Sequence, residues 1–201
     1  NGGIFLPKKH VYSLAEKDAG QVAVHDGWAP GSTMNIQYLS LRDCILLYAE
    51  CLANDGDLKG AMDLVNQIRT RAALPVNVIK NTDGTPAALY KISTYPQSHA
   101  AFTDKATCIK AVRMERKLEL AMEGQRWFDL RRWKKMYEEY SKPIYGVTIG
   151  KFKNEDGTYR KEYWTDNIVS TRVFNNDKLY WVPVPRWELN KSKLIDAAPY
   201  E

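Results

Sequence analysis

The segment Val112–Lys135, VRMERKLELAMEGQRWFDLRRWKK, constrains this chain more than any other. Its charges are dense and poorly matched locally. Glu115, Glu119 and Glu123 form an i, i+4, i+8 row of one sign. Like charges at that spacing cost an isolated helix about 0.2–0.5 kcal/mol per pair. Arg116 to Glu119 and Glu123 to Arg126 offset this only in part. The row therefore predicts partners on other elements and a place inside a fold, as structural ion pairing. Asp129 to Arg132 is an i, i+3 pair that reads as scaffold, together with Arg126. Trp127, Leu130 and Trp133, at i, i+3 and i+6, read as a core stripe rather than a ligand platform.

Helical periodicity extends on both sides. Leu39 to Ala53 is predicted to be a helix, with Leu41, Ile45, Leu46, Tyr48, Ala49 and Leu52 as its apolar stripe. Gly56 suits the left-handed residue after a helix, and Asp57 suits the N-cap of the next. That second helix runs to about Ala72, with Leu58, Ala61, Met62, Val65 and Ile68 inward, and Pro75 bars its continuation. The pair forms a helical hairpin whose small Ala61 resembles the second helix of a tetratricopeptide unit. One hairpin cannot bury both its faces, so it needs stacked neighbours. Thr103 or Asp104 caps a long helix to Glu123. Gly124 breaks or kinks it, and Arg126 to about Glu139 continues as helix.

The remainder is weakly periodic. Residues 1–37 read as irregular chain with one short strand. Val76 to Phe102 is loop-rich, turning at Asp83-Gly84. Val147 to Trp164 reads as a β-hairpin around Asn154-Glu155-Asp156-Gly157. Leu179 to Val182 reads as extended, and Glu188 to Lys191 as one helical turn. The predicted fold class is mainly α: a tetratricopeptide-like helical hairpin plus long helices, with irregular loops and a minor β-hairpin.

Three stretches also resemble a known family, in its order. Glu115–Lys134, ERKLELAMEGQRWFDLRRWK, resembles the late ER-x-x-E-L-x-x-E-G-x-R-x-x-D-L-R-R-W motif of the SusD/RagB family of outer-membrane nutrient-binding lipoproteins. Leu41–Pro75 resembles its helix pair ending in N-x-I/V-R-x-R-A-x-L-P. Leu179–Leu194, LYWVPVPRWELNKSKL, resembles its closing segment, with Trp181-Val182-Pro183-Val184-Pro185 in place of the commoner LFPIP form. The resemblance implies an α-α superhelix. It also implies that residues 1–201 are one C-terminal region of a longer protein, whose signal segment and lipid-bearing cysteine lie upstream. The function implied is non-catalytic capture of an oligosaccharide or similar nutrient at the cell surface. The ligand would pass to a TonB-dependent, SusC-like transporter. A helical-repeat adaptor, binding proteins through the Leu39–Ala72 hairpin, and a glycan-cleaving enzyme are the alternatives.

Composition narrows these choices. With 44% hydrophobic and 26% charged residues the chain is globular material, and it has no apolar run of membrane-spanning length. The net charge of +5 is spread along the chain and interleaved with acids. Its densest basic cluster, Arg131-Arg132-Trp133-Lys134-Lys135, is short, so no nucleic-acid partner is expected. Cys44 and Cys51 lie about 10 Å apart along a helix axis, too far for a disulfide. They and Cys108 read as small buried hydrophobes. His10, His25 and His99 lie far apart in irregular chain, so no metal or catalytic triad is expected, and no cofactor.

Sugar recognition needs exposed aromatic faces for apolar C–H surfaces and directional bonds for hydroxyls. The candidates in loops or hairpin are Trp28, Tyr90, Tyr95, Tyr163 and Trp164. The resemblance assigns no ligand-binding residue, because its motifs are architectural.

Overall fold

The computed structural model describes residues 8–12, 14–25, 31–33, 35–80, 83–86, 89–157, 159–164, 167–174, 180 and 185–191. The chain divides into two units, Asn1–Arg126 and Trp127–Glu201.

The first unit is built on three helices of 15 residues each: α2 (Leu41–Asp55), α3 (Leu58–Ala72) and α4 (Lys105–Glu119). The turn between α2 and α3 follows from two side chains. Gly56 adopts φ 104°, which a Cβ would strain, and its N–H closes α2 on the Leu52 carbonyl at 2.9 Å. Asp57 then accepts the Gly60 N–H at 2.9 Å and starts α3. Asp104 caps α4 by accepting from the Thr107 hydroxyl at 2.5 Å and the Thr107 N–H at 2.7 Å, and these bonds, the hydroxyl's first, hold its carboxyl below the usual range. The three helices share one apolar core. Leu46, Ala49 and Ala53 of α2 meet Ala61, Met62, Val65 and Ile68 of α3 and Cys108, Ala111 and Val112 of α4. Each fully buried large side chain contributes about 1.5–3 kcal/mol there.

Several expectations need correction. In the α2 stripe Leu41 is 75% exposed and Tyr48 is exposed too, because the core takes Leu46, Ala49 and Ala53 instead. Cys44 and Cys51 share that outer face and are exposed thiols, while Cys108 is buried and its pKa is raised by burial. Residues before α2 are not wholly irregular. They include a short helix, α1 (Leu14–Asp18), and a two-stranded ladder of β1 (Val24–His25) and β2 (Gly31–Ser32).

The largest correction concerns α4. It ends at Glu119, not Glu123, and a turn with Met122 at φ 68° and Gly124 at φ 81° follows. The cause is tertiary. Lys9 donates to the Glu119 carbonyl and His10 Nε2 donates to the Met122 carbonyl at 2.8 Å. These distant donors satisfy carbonyls that a continuing helix would have used. Nothing local marks Met122 as a breaker.

The second unit contains most of α5 (Gln125–Arg132), then α6 (Met136–Tyr140). The expected continuous helix is interrupted between them. Lys134 takes φ 52° and the Lys135 N–H reaches back to the Leu130 carbonyl at 2.9 Å, a left-handed helix end made without glycine. β3 (Pro143–Tyr145) pairs antiparallel with β6 (Ile168–Thr171), a long-range pairing with no local signal. Between them β4 (Thr148–Lys153) and β5 (Tyr159–Trp164) form the anticipated hairpin, its turn closed by the Gly157 N–H on the Asn154 carbonyl at 3.0 Å. Leu130, Met136 and Phe174 form a small core rimmed by Trp133, Tyr140 and Tyr180. Trp127 departs from the expected stripe: it is 40% exposed, edge-on to Tyr140 at 5.7 Å. α7 (Arg186–Lys191) includes the expected Glu188–Lys191 turn. Leu179 and Trp181–Pro183 lie outside the described residues.

Candidate functional site

The carboxylate row of α4 and its turn collects cations from three other stretches of the first unit. Arg69 Nη1 of α3 donates to Glu115 Oε2 at 2.9 Å, and Arg71 Nη2 to Glu119 Oε1 at 2.7 Å. Arg42 Nη2 of α2 donates to Glu123 Oε1 at 2.6 Å, while its Nη1 lies 3.4 Å from Glu119 Oε1. Lys9 Nζ adds a second bond to Glu123 Oε1 at 2.6 Å. In the reverse sense Arg116 of α4, only 2% exposed, pairs with Asp43 of α2 at 2.9 Å. The two central motifs thus supply opposite halves of one ion-pair cluster.

Burial dominates at the cluster's inner end. Glu115 is 5% exposed, and burial pushes its carboxyl up even though Arg69 pulls it down. At the outer end two concavities open and share Gln37 and Arg42. One, of about 320 Å³, is lined by Lys9, His10, Asn35, Ile36 and Glu123 besides the shared pair. The other, of about 400 Å³, lies between the start of α2 and the end of α3, with Gln67 and Arg71 on its polar side. Gln37 Oε1 accepts from Arg42 Nη2 at 2.6 Å, which fixes that amide between them. Sequence reasoning missed Gln37, Arg42 and Gln67. The only available signal was the unmatched Glu row, which called for cations without naming them.

The aromatic candidates are not brought to this place. Trp28 lies outside the described residues. Tyr163 and Trp164 stand in β5 in register with Ile149 and Thr148, and their side chains lie outside the described part. Tyr90 is half-buried in the loop after α3. Tyr95 serves that loop's attachment. Asn66 of α3 accepts from the Tyr95 N–H at 2.7 Å and donates to its carbonyl at 3.0 Å. The Arg69 guanidinium sits 4.8 Å from the Tyr95 ring centroid, and His99 packs edge-on at 4.8 Å. In the second unit Asp129, buried, accepts from Arg132 Nη2 at 2.9 Å, and the Arg132 guanidinium lies over Trp133 at 4.8 Å. Among the described residues no group of three or more His, Cys, Asp or Glu is arranged to hold a metal ion, and no helix is long and apolar enough to cross a membrane.

A helical hairpin stacked on a third helix, followed by short helices and small antiparallel ladders, defines a mainly α protein. The family model of the SusD family matches residues 12–200, and the chain belongs to that family. It is 36% identical over 114 residues to SusD-like protein P38 of Formosa agariphila, an alignment spanning 57% of this chain and 20% of that protein. It also superposes on the crystal structure of a SusD-like protein from Bacteroides fragilis with a TM-score of 0.55 and 27% identity, over 80% of this chain and 25% of that one. The chain therefore spans a fifth to a quarter of the length of these relatives.

Proposed function

We propose that the full-length protein captures an oligosaccharide or similar nutrient without cleaving it. It acts at the outer face of the outer membrane, held there by a lipid anchor upstream of these residues, and hands its ligand to a TonB-dependent, SusC-like transporter. The observation that carries this reading is membership of the SusD family along residues 12–200. The site chemistry agrees with it. A retaining or inverting glycosidase sets two carboxyl groups across a cleft. Glu115, Glu119 and Glu123 instead lie along one edge, each engaged by Arg or Lys as scaffold. Nucleic acid is not a partner in this reading.

Aromatic residues in loops and in the hairpin supply the stacking surface, with Trp28 and Trp164 first, then Tyr90 and Tyr163. Tyr95, clamped between Arg69 and His99, is the weakest of the five candidates. Calorimetric titration of the full-length protein against a polysaccharide panel tests the function. Binding without release of shorter products is the expected result. Trp28→Ala or Trp164→Ala should weaken it by about 1–3 kcal/mol, the worth of a stacked ring and the bonds it orients. Hydrolysis of the polysaccharide would turn the assignment to an enzyme. Tight binding to a protein with none to any glycan would favour the helical-repeat adaptor.

A further inference from the structure

The two concavities at the outer end of the ion-pair cluster differ in the charge of their walls. The smaller is lined by Lys9 and Arg42 together with Glu123, so it holds its own carboxylate. The one between α2 and α3 is lined by the guanidiniums of Arg42 and Arg71 and the amides of Gln37 and Gln67, with no carboxylate. The cluster behind it is not balanced either. Arg69 is matched by Glu115, and Arg116 by Asp43, one to one. Lys9, Arg42 and Arg71 share Glu119 and Glu123 among the described residues, so three cations meet two carboxylates. The hydrogen bonds show the same bias. Arg71 gives Nη2 to Glu119, and its other N–H groups have no partner among the described residues. Gln37 Oε1 already accepts from Arg42 Nη2 at 2.6 Å, which leaves the NH2 end of that amide to donate. Arg42 Nε and Ser40 Oγ, in the same wall, are buried without a partner among the described residues.

Resting on the nutrient-capture reading above, we propose that this concavity is an oxyanion subsite, taking one carboxylate or sulfate group of an acidic oligosaccharide. Both groups only accept hydrogen bonds, and the wall offers a surplus of donors. A guanidinium holds either of them through paired, planar N–H bonds. The incoming group displaces nothing. Glu119 Oε1 lies 2.7 Å from Arg71 Nη2 and 3.4 Å from Arg42 Nη1, so one scaffold oxygen serves both arginines and the remaining Arg71 donors stay open. A neutral hydroxyl meets the same donors but gains nothing from the unmatched charge. The volume of about 400 Å³ falls within the roughly 300–1,000 Å³ of small-molecule sites. The Arg71 side chain is half-exposed, so the preference for an anion is modest and salt-dependent.

The test uses the full-length protein and calorimetry with three hexasaccharides: galactose, galacturonate and sulfated galactose. At low ionic strength at least one acidic ligand should bind about three- to fivefold more tightly than the neutral one, an advantage that shrinks as salt is added. The two acidic arms separate carboxylate from sulfate. Gln67 is exposed and outside every ion pair named above, so its charge can be set without touching the scaffold. Gln67→Glu puts a carboxylate four residues before Arg71 on α3 and should weaken the preferred acidic ligand about three- to fivefold, while Gln67→Lys should tighten it. Neither variant should move binding of the neutral ligand. If the neutral ligand binds as tightly as both acidic ones, or if the two Gln67 variants bind the acidic ligand equally, the subsite falls while nutrient capture stands. Absence of binding to any saccharide, here and across the polysaccharide panel, overturns the capture reading together with this one.

Discussion

The turn from α2 to α3 and the turn that follows α4 do the same job by different means. At the first, Gly56 and Asp57 set the geometry from within four residues of chain, each using a conformational property of its own residue type. At the second, a methionine adopts φ 68° and the exposed carbonyls of Glu119 and Met122 are met by Lys9 and His10, more than 100 residues away in sequence. Locally written ends can be replaced by any sequence with the same caps. Ends written at long range exist only when the rest of the unit is folded. The α2–α3 hairpin should therefore tolerate loss of distant partners, and the α4 end should not.

Removing Arg69 should break this comparison most severely. It leaves Glu115 buried in the core of the helix trio without its guanidinium. Taking one partner from a buried pair costs about 3–5 kcal/mol, and urea denaturation of Arg69→Ala at pH 7 should show it. Acid should restore part of the loss. Burial raises the Glu115 carboxyl above its unfolded value, so the folded state binds the proton first. Stability from this group then grows as pH falls through the folded pKa and is fully gained below the ordinary carboxylate range. Without Arg69 to oppose burial, that gain is larger, so the gap between Arg69→Ala and the unmutated protein should narrow from pH 7 to pH 5. By contrast, Lys59→Ala breaks the exposed i, i+4 pair with Asp63 and should cost only a small fraction of the Arg69 loss. A gap at Arg69 that widens in acid would refute the account of Glu115.

Cutting the distant caps of the α4 turn is the intermediate case. The Lys9→Ala, His10→Ala double variant removes the donors to Glu119 and Met122 and one bond to Glu123. A loss of about 1–2 kcal/mol is expected from these partly exposed bonds. Hydrogen exchange should speed up at Leu120–Gly124 while Gly56–Gly60 stays protected. Equal acceleration at both turns would erase the distinction drawn between them.

The same contrast accounts for what the sequence made legible. The hairpin over Leu41–Ala72, the Asp104 cap and the β4–β5 turn each rest on a residue whose own chemistry dictates the backbone, so they could be read before the fold was known. The end of α4, the break at Lys134 and the β3–β6 pairing rest on contacts made across the chain, and no local pattern signals them. The apolar stripe of α2 misled for a related reason. This helix is apolar on two faces, and periodicity alone does not say that Leu46, Ala49 and Ala53 turn inward while Leu41 and Tyr48 stay outside. The candidate concavity was illegible because Gln37, Arg42, Gln67 and Arg71 come from two helices and a lead-in that only the packing of the trio brings together. The unbalanced Glu row was the trace it left in the sequence, and it asked for Arg42, Arg69 and Arg71 without identifying them.

The smallest effect gives the sharpest view of the locally written turn. Asp57→Ala removes the bond to the Gly60 N–H and should cost about 1 kcal/mol, an ordinary N-cap loss. Gly60→Ala should cost a similar amount for the same reason, because a Cβ there would come within 2.3 Å of Asp57 Oδ2 and push the capping carboxylate away. The two losses describe one bond and should not add. In the Asp57→Ala background the obstruction is gone, and alanine is favoured over glycine in a helix by about 0.8–1 kcal/mol. Gly60→Ala should then stabilise, so the substitution changes sign with its neighbour. Thermal melts of the two single variants and the double variant measure this directly. If Gly60→Ala is destabilising by the same amount in both backgrounds, residue 60 is kept small by something other than the Asp57 cap, and the hairpin turn depends on contacts beyond its own residues.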